Sequence, residues 1–252
     1  MDLEGSTVLV TGAAGGLGQA VVRRLKAVGA RPILTDLESE ERLAALGREI
    51  GAPTFCADLS RRDEVVAMMD EIRSAVGVLD GVVANAAFMS MGSLAQQPVE
   101  DWWRHFDVNL TGTFHVCQMA AKAMLSQGAG RLILVASEWG IGGRRNATAY
   151  AGSKGGLVAL VKTLGRELGP AGIHVNGLAP GVIDTPQLSA DAAAEGVTIL
   201  EIRRRYGEQI PLGRVADPEE IAEAVLFLLS ERSDALLGQV LQPNGGSTRA
   251  RA

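Results

Sequence analysis

The chain has 252 residues, 47% hydrophobic and 21% charged, with a net charge of −5. That is an ordinary globular composition, and the negative balance excludes the basic footprint of a nucleic-acid binder. Its 2 cysteines, Cys56 and Cys117, are far apart and in no metal-ligand spacing, which excludes a disulfide framework and a cysteine-held metal.

The opening Met1-Asp2-Leu3-Glu4-Gly5 lacks the basic and apolar regions of a signal peptide. No apolar run is long enough to cross a membrane. Reduced, inert thiols and a cytoplasmic location are expected.

The first expected strand covers residues 8–10 and ends at Thr11-Gly12. Then comes Ala13-Ala14-Gly15-Gly16-Leu17-Gly18, opening a helix over 18–28. Glycines let a backbone turn sharply and approach a pyrophosphate, and the helix start offers free N–H groups with a positive dipole end. The strand-before, helix-after context separates this loop from an ordinary Gly-rich turn.

The second strand, 32–35, ends at Asp36, which lies 18 positions past Gly18. A carboxylate there can accept hydrogen bonds from both hydroxyls of an adenosine ribose, and it repels a 2′-phosphate. Neither Gly15 nor Leu37 supplies the basic group that such a phosphate wants. Both absences point to NAD over NADP.

A weaker strand at 54–57 ends at Asp58, and a helix follows over 62–76. Strand 81–84 ends at Asn85. One long helix is expected over 99–124. Strand 131–136 ends at Ser137. Helix 148–168 stops at Gly169-Pro170, and strand 173–179 ends at Pro180. Helix 218–229 has a clear start, with Asp217 as cap, Pro218 in the first turn and Glu220 completing a capping box. The last strand is 239–242.

Nearly continuous apolar strands alternating with helices predict an α/β fold. It is a single-domain, doubly wound parallel sheet over 1–252, flanked by helices on both faces. Ligands of such folds bind beyond the carboxyl ends of the strands. Asp36, Asp58, Asn85, Ser137 and Pro180 should therefore share one edge.

Tyr150 and Lys154 are four apart on a helical segment, hence on one face, and Ser137 stands 13 residues before Tyr150. A free phenol, with a pKa of about 10, is a poor base at neutral pH. A neighbouring ammonium and a cationic cofactor ring can bias it toward phenolate. Ser137 can hold a substrate oxygen while Tyr150 moves its proton.

With these motifs in this order, the chain resembles the classical short-chain dehydrogenase/reductase family over essentially its whole length. Thr11-Gly12-x-x-x-Gly16-x-Gly18 resembles the cofactor loop of this Rossmann-type family, and Asp58-Leu59 the pair that contacts adenine. Asn85-Ala86-Ala87 is similar to the family's Asn-Asn-Ala-Gly segment, with Ala84 and Ala87 in place of its outer residues. The resemblance makes Asn109 the residue that keeps the proton relay wetted through a backbone-bound water. It makes Ser137, Tyr150 and Lys154 the remaining catalytic residues, with Lys154 also binding the nicotinamide ribose. Pro180-Gly181 and Ile183-Asp184-Thr185 match the nicotinamide-contacting segment, and Asn244 to Gly246 stand where the family often has Asp-Gly-Gly. The resemblance implies hydride transfer between NAD and a small-molecule secondary alcohol or ketone. It also implies a homotetramer.

Two other functions stay open. One is a 3-oxoacyl-carrier-protein ketoreductase, for which NADPH is the usual cofactor. The other is a catalytically silent NAD-binding regulator, against which the intact Asn109, Ser137, Tyr150 and Lys154 set argues.

The substrate side is read from residues after Thr185, where 186–212 is expected to form a helical lid. Trp139 can wall the pocket or serve subunit packing. Arg144-Arg145 and Arg203-Arg204-Arg205 are basic, so Arg145 or Arg205 can clamp an anionic substrate or simply face solvent. A cyclic, sugar-like or acidic alcohol fits this reading. His105, His115 and His174 show no ligand spacing, and no metal is expected.

Overall fold

The computed structural model describes residues 3–37 and 40–248. In chain order the first half runs β1 (Thr7–Thr11), α1 (Gly16–Ala27), β2 (Arg31–Asp36), α2 (Glu40–Ile50), β3 (Thr54–Cys56), α3 (Arg62–Val76) and β4 (Gly81–Ala84). Next come α4 (Val99–His105), a π-helical stretch (Phe106–Gly112), α5 (Thr113–Gln127), β5 (Gly130–Val135) and the short α6 (Trp139–Gly142). The chain continues with α7 (Thr148–Leu168), β6 (Ile173–Leu178), α8 (Pro186–Glu195), α9 (Ile199–Gly207), α10 (Pro218–Leu229) and β7 (Val240–Leu241).

The 7 strands form one parallel sheet in the order β3-β2-β1-β4-β5-β6-β7. Strand order reverses between β1 and β4, and such a switch point opens a crevice at the carboxyl ends of the strands.

The strands alternate between two cores because successive side chains point to opposite faces. Val8, Val10, Leu34, Val83 and Ile133 meet Val21 and Leu25 of α1, Leu43 of α2 and Val225 of α10. Leu9, Ile33, Val82, Leu132 and Val175 meet Ile72 of α3, Val116 of α5 and Leu157 of α7. Both faces are covered, as expected for a wholly parallel sheet. A third, smaller cluster joins α8 and α9 through Leu188, Ala192, Ile202 and Tyr206.

Helices α3, α7 and α10 have the expected bounds. At the start of α10, Glu220 reaches back to accept the Asp217 N–H at 2.9 Å. The continuous helix expected over 99–124 is instead broken into α4, the π-helical stretch and α5. The break coincides with Asn109, whose side chain is used sideways, and π-turns in helices concentrate at functional sites. Helix α2 is an addition; Leu43, Leu46 and Ile50 bury its inner face. Cys117 is a buried thiol, and burial pushes it up to about 12.

Candidate active site

A cavity of about 500 Å³ lies along the carboxyl edge of the sheet. The Gly-rich loop closes one end of it. Gly12 has φ +64°, and a Cβ there would stand 2.8 Å from Ala86 Cα. A Cβ on Gly16 would meet Thr185 at 2.6 Å, and one on Gly18 would meet the Gly12 carbonyl oxygen at 2.1 Å. Gly12 lets the loop approach the segment after β4, Gly16 lets it approach the segment after β6, and Gly18 lets the first turn of α1 close on the loop itself. Gly18 therefore packs behind the loop and does not line the cavity, unlike Gly12, Gly15, Gly16 and Leu17. The first-turn N–H groups of α1 have no acceptor within the helix.

Asp36 ends β2 beside this loop. One carboxylate oxygen accepts the Ala14 N–H at 2.8 Å and the other accepts the Leu37 N–H at 2.8 Å. Asp36 and Leu37 line the cavity, as do Asp58 and Leu59. The Asp58 carboxylate accepts from the Ser60 N–H at 2.9 Å, and the buried His115 ring contacts the Leu59 carbonyl at 3.1 Å. His115 is thus a packing residue that fixes this end. Asn85 bridges the switch point: its amide donates to the Thr11 and Gly12 carbonyls at 3.0 and 3.1 Å. Ala86, Ala87, Pro180, Gly181, Ile183 and Thr185 complete this wall. Asp184 turns away and pairs with Arg203 at 2.9 Å.

Ser137, Tyr150 and Lys154 all reach the cavity. Ser137 follows β5, and its hydroxyl accepts the Trp139 N–H at 3.2 Å. Tyr150 and Lys154 share one face of α7, with Lys154 Nζ 5.7 Å from the Tyr150 ring centroid. Burial pushes the Tyr150 phenol up to about 12, partly offset by a hydrogen bond with Ser137. Lys154 is only 2% exposed, and burial pushes its ammonium down to about 7. Both shifts have the same origin, since a low-dielectric site disfavours either charged form.

Asn109 is fully buried and outside the cavity wall. Its carboxamide accepts the Phe88 N–H at 2.7 Å and donates to the Phe88 carbonyl at 3.0 Å. It also donates to Ser153 Oγ at 3.0 Å, tying the segment after β4 to α7. His105, likewise buried, accepts the Ser90 N–H at 3.1 Å and packs 6.2 Å from the Tyr150 ring.

Trp139 lines the cavity, with its ring edge-on to Tyr150 at 5.9 Å between centroids. Arg145 and Arg205, expected as possible anion clamps, lie outside it. Arg145 faces solvent. Arg205 is neutralised on the outer face of α9 by Glu201 at 2.8 Å and Glu195 at 3.0 Å. The Glu201–Arg205 spacing of four was visible in the sequence and signals an ion pair along one helix. The cavity's arginine is instead Arg104 of α4, stacked 4.1 Å over the Phe88 ring. Gln187, Leu188, Asp191 and Tyr206, from α8 and α9, also line it. None of these five was singled out by motif, because their direction depends on how α4, α8 and α9 pack.

A family model described as "Enoyl-(Acyl carrier protein) reductase" matches residues 12–248. The chain belongs to the short-chain dehydrogenase/reductase family. The 3-oxoacyl-[acyl-carrier-protein] reductase of Aquifex aeolicus is 35% identical over 252 residues, covering 98% of both chains. The 2,5-dichloro-2,5-cyclohexadiene-1,4-diol dehydrogenase of Sphingobium indicum is 34% identical, again with 98% of both covered. A solved structure described as ribose-5-phosphate isomerase from Brucella melitensis 16M superposes with a TM-score of 0.91. It is 29% identical and covers 97% of this chain and 93% of its own. As a family member the chain is an oxidoreductase that acts on hydroxyl and keto groups. No helix among the described residues is long and apolar enough to cross a membrane.

Proposed function

We propose that this protein is an NAD-dependent dehydrogenase that oxidises a secondary alcohol to a ketone. The observation that carries the cofactor choice is Asp36, a carboxylate at the mouth of the Gly-rich loop. The described residues lining that end, from Gly12 to Leu17 and from Thr35 to Leu59, include no lysine or arginine. A dinucleotide fits there, because Gly12, Gly15, Gly16 and Leu17 line one cavity that continues past Asp36 and Asp58 to Tyr150 and Lys154.

Gly15, Gly16 and Leu17 would hold the pyrophosphate on the α1 N–H groups. Asp36 would hold the adenosine ribose, and Asp58 and Leu59 the adenine. Asn85 to Ala87, Lys154, Pro180, Gly181, Ile183 and Thr185 would hold the nicotinamide half. When bound, a nicotinamide cofactor would supply the acceptor for a hydride from the substrate carbon. Ser137 orients the substrate oxygen. Tyr150 takes the hydroxyl proton as phenolate, and returns it when the reaction runs toward the alcohol. Lys154, when protonated, favours that phenolate by its charge. Asn109 positions α7, and the wide turn around it is where we place the relay's exit to water. Residues 186–212, including α8 and α9, act as the lid within a single domain.

The test is a binding titration with NADH and NADPH, followed by an alcohol-dependent NAD-reduction screen with Tyr150→Phe as blank. Tighter NADH binding and loss of turnover in the blank are expected. A preference for NADPH removes the Asp36 argument. A second reading, reduction of a carrier-bound 3-oxoacyl group, is favoured by the Aquifex relative. It predicts that NADPH preference together with ketone reduction.

We also propose a cytoplasmic homotetramer. Val99 and Trp103 of α4 and Phe114 and Leu125 of α5 are large apolar side chains left exposed in one chain, and such patches mark interaction sites. Light scattering on the purified protein tests it.

A further inference from the structure

We infer that the substrate is a neutral, ring-shaped alcohol with a second hydroxyl, recognised by Asp191 and Gln187 of α8. The inference rests on the dehydrogenase reading above and names its substrate class.

Neighbouring side chains place Asp191 on the catalytic side of the cavity. The Trp139 ring stands edge-on to Tyr150 at 5.9 Å. Arg144 bridges Trp139 to Tyr206 from outside, 5.4 Å from one ring centroid and 5.6 Å from the other. The Tyr206 hydroxyl then donates to Asp191 Oδ2 at 3.3 Å. Trp139, Tyr206 and Asp191 all line the cavity that holds Tyr150.

The charge inside the lid is negative. Arg203 pairs with Asp184 at 2.9 Å, Arg204 with Glu201 at 2.8 Å and Arg205 with Glu195 at 3.0 Å. Those three guanidiniums are neutralised away from the cavity. Asp191, by contrast, is held by two neutral donors: Gln187 Nε2 at 3.0 Å on Oδ1 and Tyr206 on Oδ2. Among the described residues no ion pair neutralises it. An ionised carboxylate offers about four acceptor sites, so two donors orient it and leave capacity for a substrate hydroxyl. The same charge repels a carboxylate or phosphate on the substrate. The two aromatic rings supply flat apolar walls suited to a ring. Arg104, on Phe88, is the cation that could favour an anion, and so belongs in the test.

The test measures NAD reduction on cyclohexanol, cyclohexane-1,2-diol, cyclohexane-1,4-diol and 4-hydroxycyclohexanecarboxylate. Expected is a kcat/KM for one of the diols at least about tenfold above cyclohexanol, the worth of a hydrogen bond to a charged group. Asp191→Asn should erase that advantage mainly through KM and raise turnover of the carboxylate. A far-UV circular dichroism spectrum and a urea midpoint like those of the wild type report an intact fold. The inference is overturned if the wild type prefers the carboxylate and loses that preference in Arg104→Ala. It is equally overturned if Asp191→Asn leaves the diol advantage intact, or if none of these rings is oxidised while NADH still binds. Full turnover in Tyr150→Phe is the separate result that overturns the dehydrogenase reading itself.

Discussion

Lys154 Nζ donates to the carbonyl oxygen of Val135 at 2.7 Å. The lysine is therefore fastened to the end of β5, with the Tyr150 ring centroid 5.7 Å away. This fixes a buried amine beside Tyr150, at a cost to the fold. The ordinary lysine value of 10.5 falls to about 7 on burial. Between those values the unfolded chain binds more protons than the folded one, so stability rises with pH across that window. Below about 7 both states are protonated and the full penalty persists. Lys154→Met should remove this dependence. Urea midpoints from pH 7 to pH 9.5 should climb more steeply in the wild type than in the variant. Parallel curves would remove Lys154 as the source.

Tyr150 gives the matching prediction for catalysis. Its phenol, pushed up to about 12 by burial, is protonated at neutral pH in the cofactor-free protein. Alcohol oxidation consumes the phenolate, so kcat/KM in that direction should rise with pH until the loaded site's own pKa. Ketone reduction uses the phenol and should fall over the same range. Lys154→Met should move both profiles to higher pH. Tyr150→Phe should lower turnover by about 10²- to 10⁴-fold, the usual worth of a positioned acid/base. A profile that Lys154→Met leaves in place would separate the two residues.

Asp36 has two tasks, and two substitutions divide them. Its carboxylate orders the loop through the Ala14 N–H at 2.8 Å, and we assign the ribose to the same group. Asp36→Ala removes both and should weaken NADH binding by about 10- to 100-fold, as for a lost hydrogen bond to a charge. Asp36→Asn keeps one acceptor for the loop but removes the charge that repels a 2′-phosphate. Its NADPH affinity should therefore rise relative to NADH. Isothermal titration with both cofactors decides this; unchanged selectivity in Asp36→Asn would mean that another residue sets it.

The sheet and the cofactor wall were legible because local sequence dictates them. Gly12, Gly16 and Gly18 are read from a Gly-rich turn between a strand and a helix. Asp36, Asp58, Asn85 and Ser137 are read from where apolar strands stop. Tyr150 and Lys154 need only helical spacing. The substrate side was not legible in this way. Arg104 stands in the cavity because α4 stops after one more residue and packs over Phe88, while Arg145 sits in an exposed loop. The π-helical stretch that ends α4 has no signature in the apolar period, which runs unbroken from 99 to 124. Asp191 and Tyr206 meet only when α8 folds back on α9.

Glu138, between Ser137 and Trp139, buries its carboxylate away from the cavity. It accepts hydrogen bonds from the hydroxyls of Ser247 and Thr248, the latter at 3.3 Å. Its own N–H donates to the Pro180 carbonyl at 3.0 Å. The loop after Ser137 is thereby joined to the segment after β6 on one side and to the C-terminal segment on the other. Glu138→Leu removes this acceptor, although Ser247 keeps the Asn244 carbonyl at 3.0 Å, and should cost about 0.5–1.5 kcal/mol. Glu138→Gln keeps an acceptor oxygen and should cost less. Because α6 carries Trp139 and starts one residue later, the Leu variant should also lower kcat, with cofactor affinity less affected. Denaturation midpoints and initial rates on the same two variants measure both effects. Equal stability in the two variants would show that Glu138 fills space without anchoring the segment.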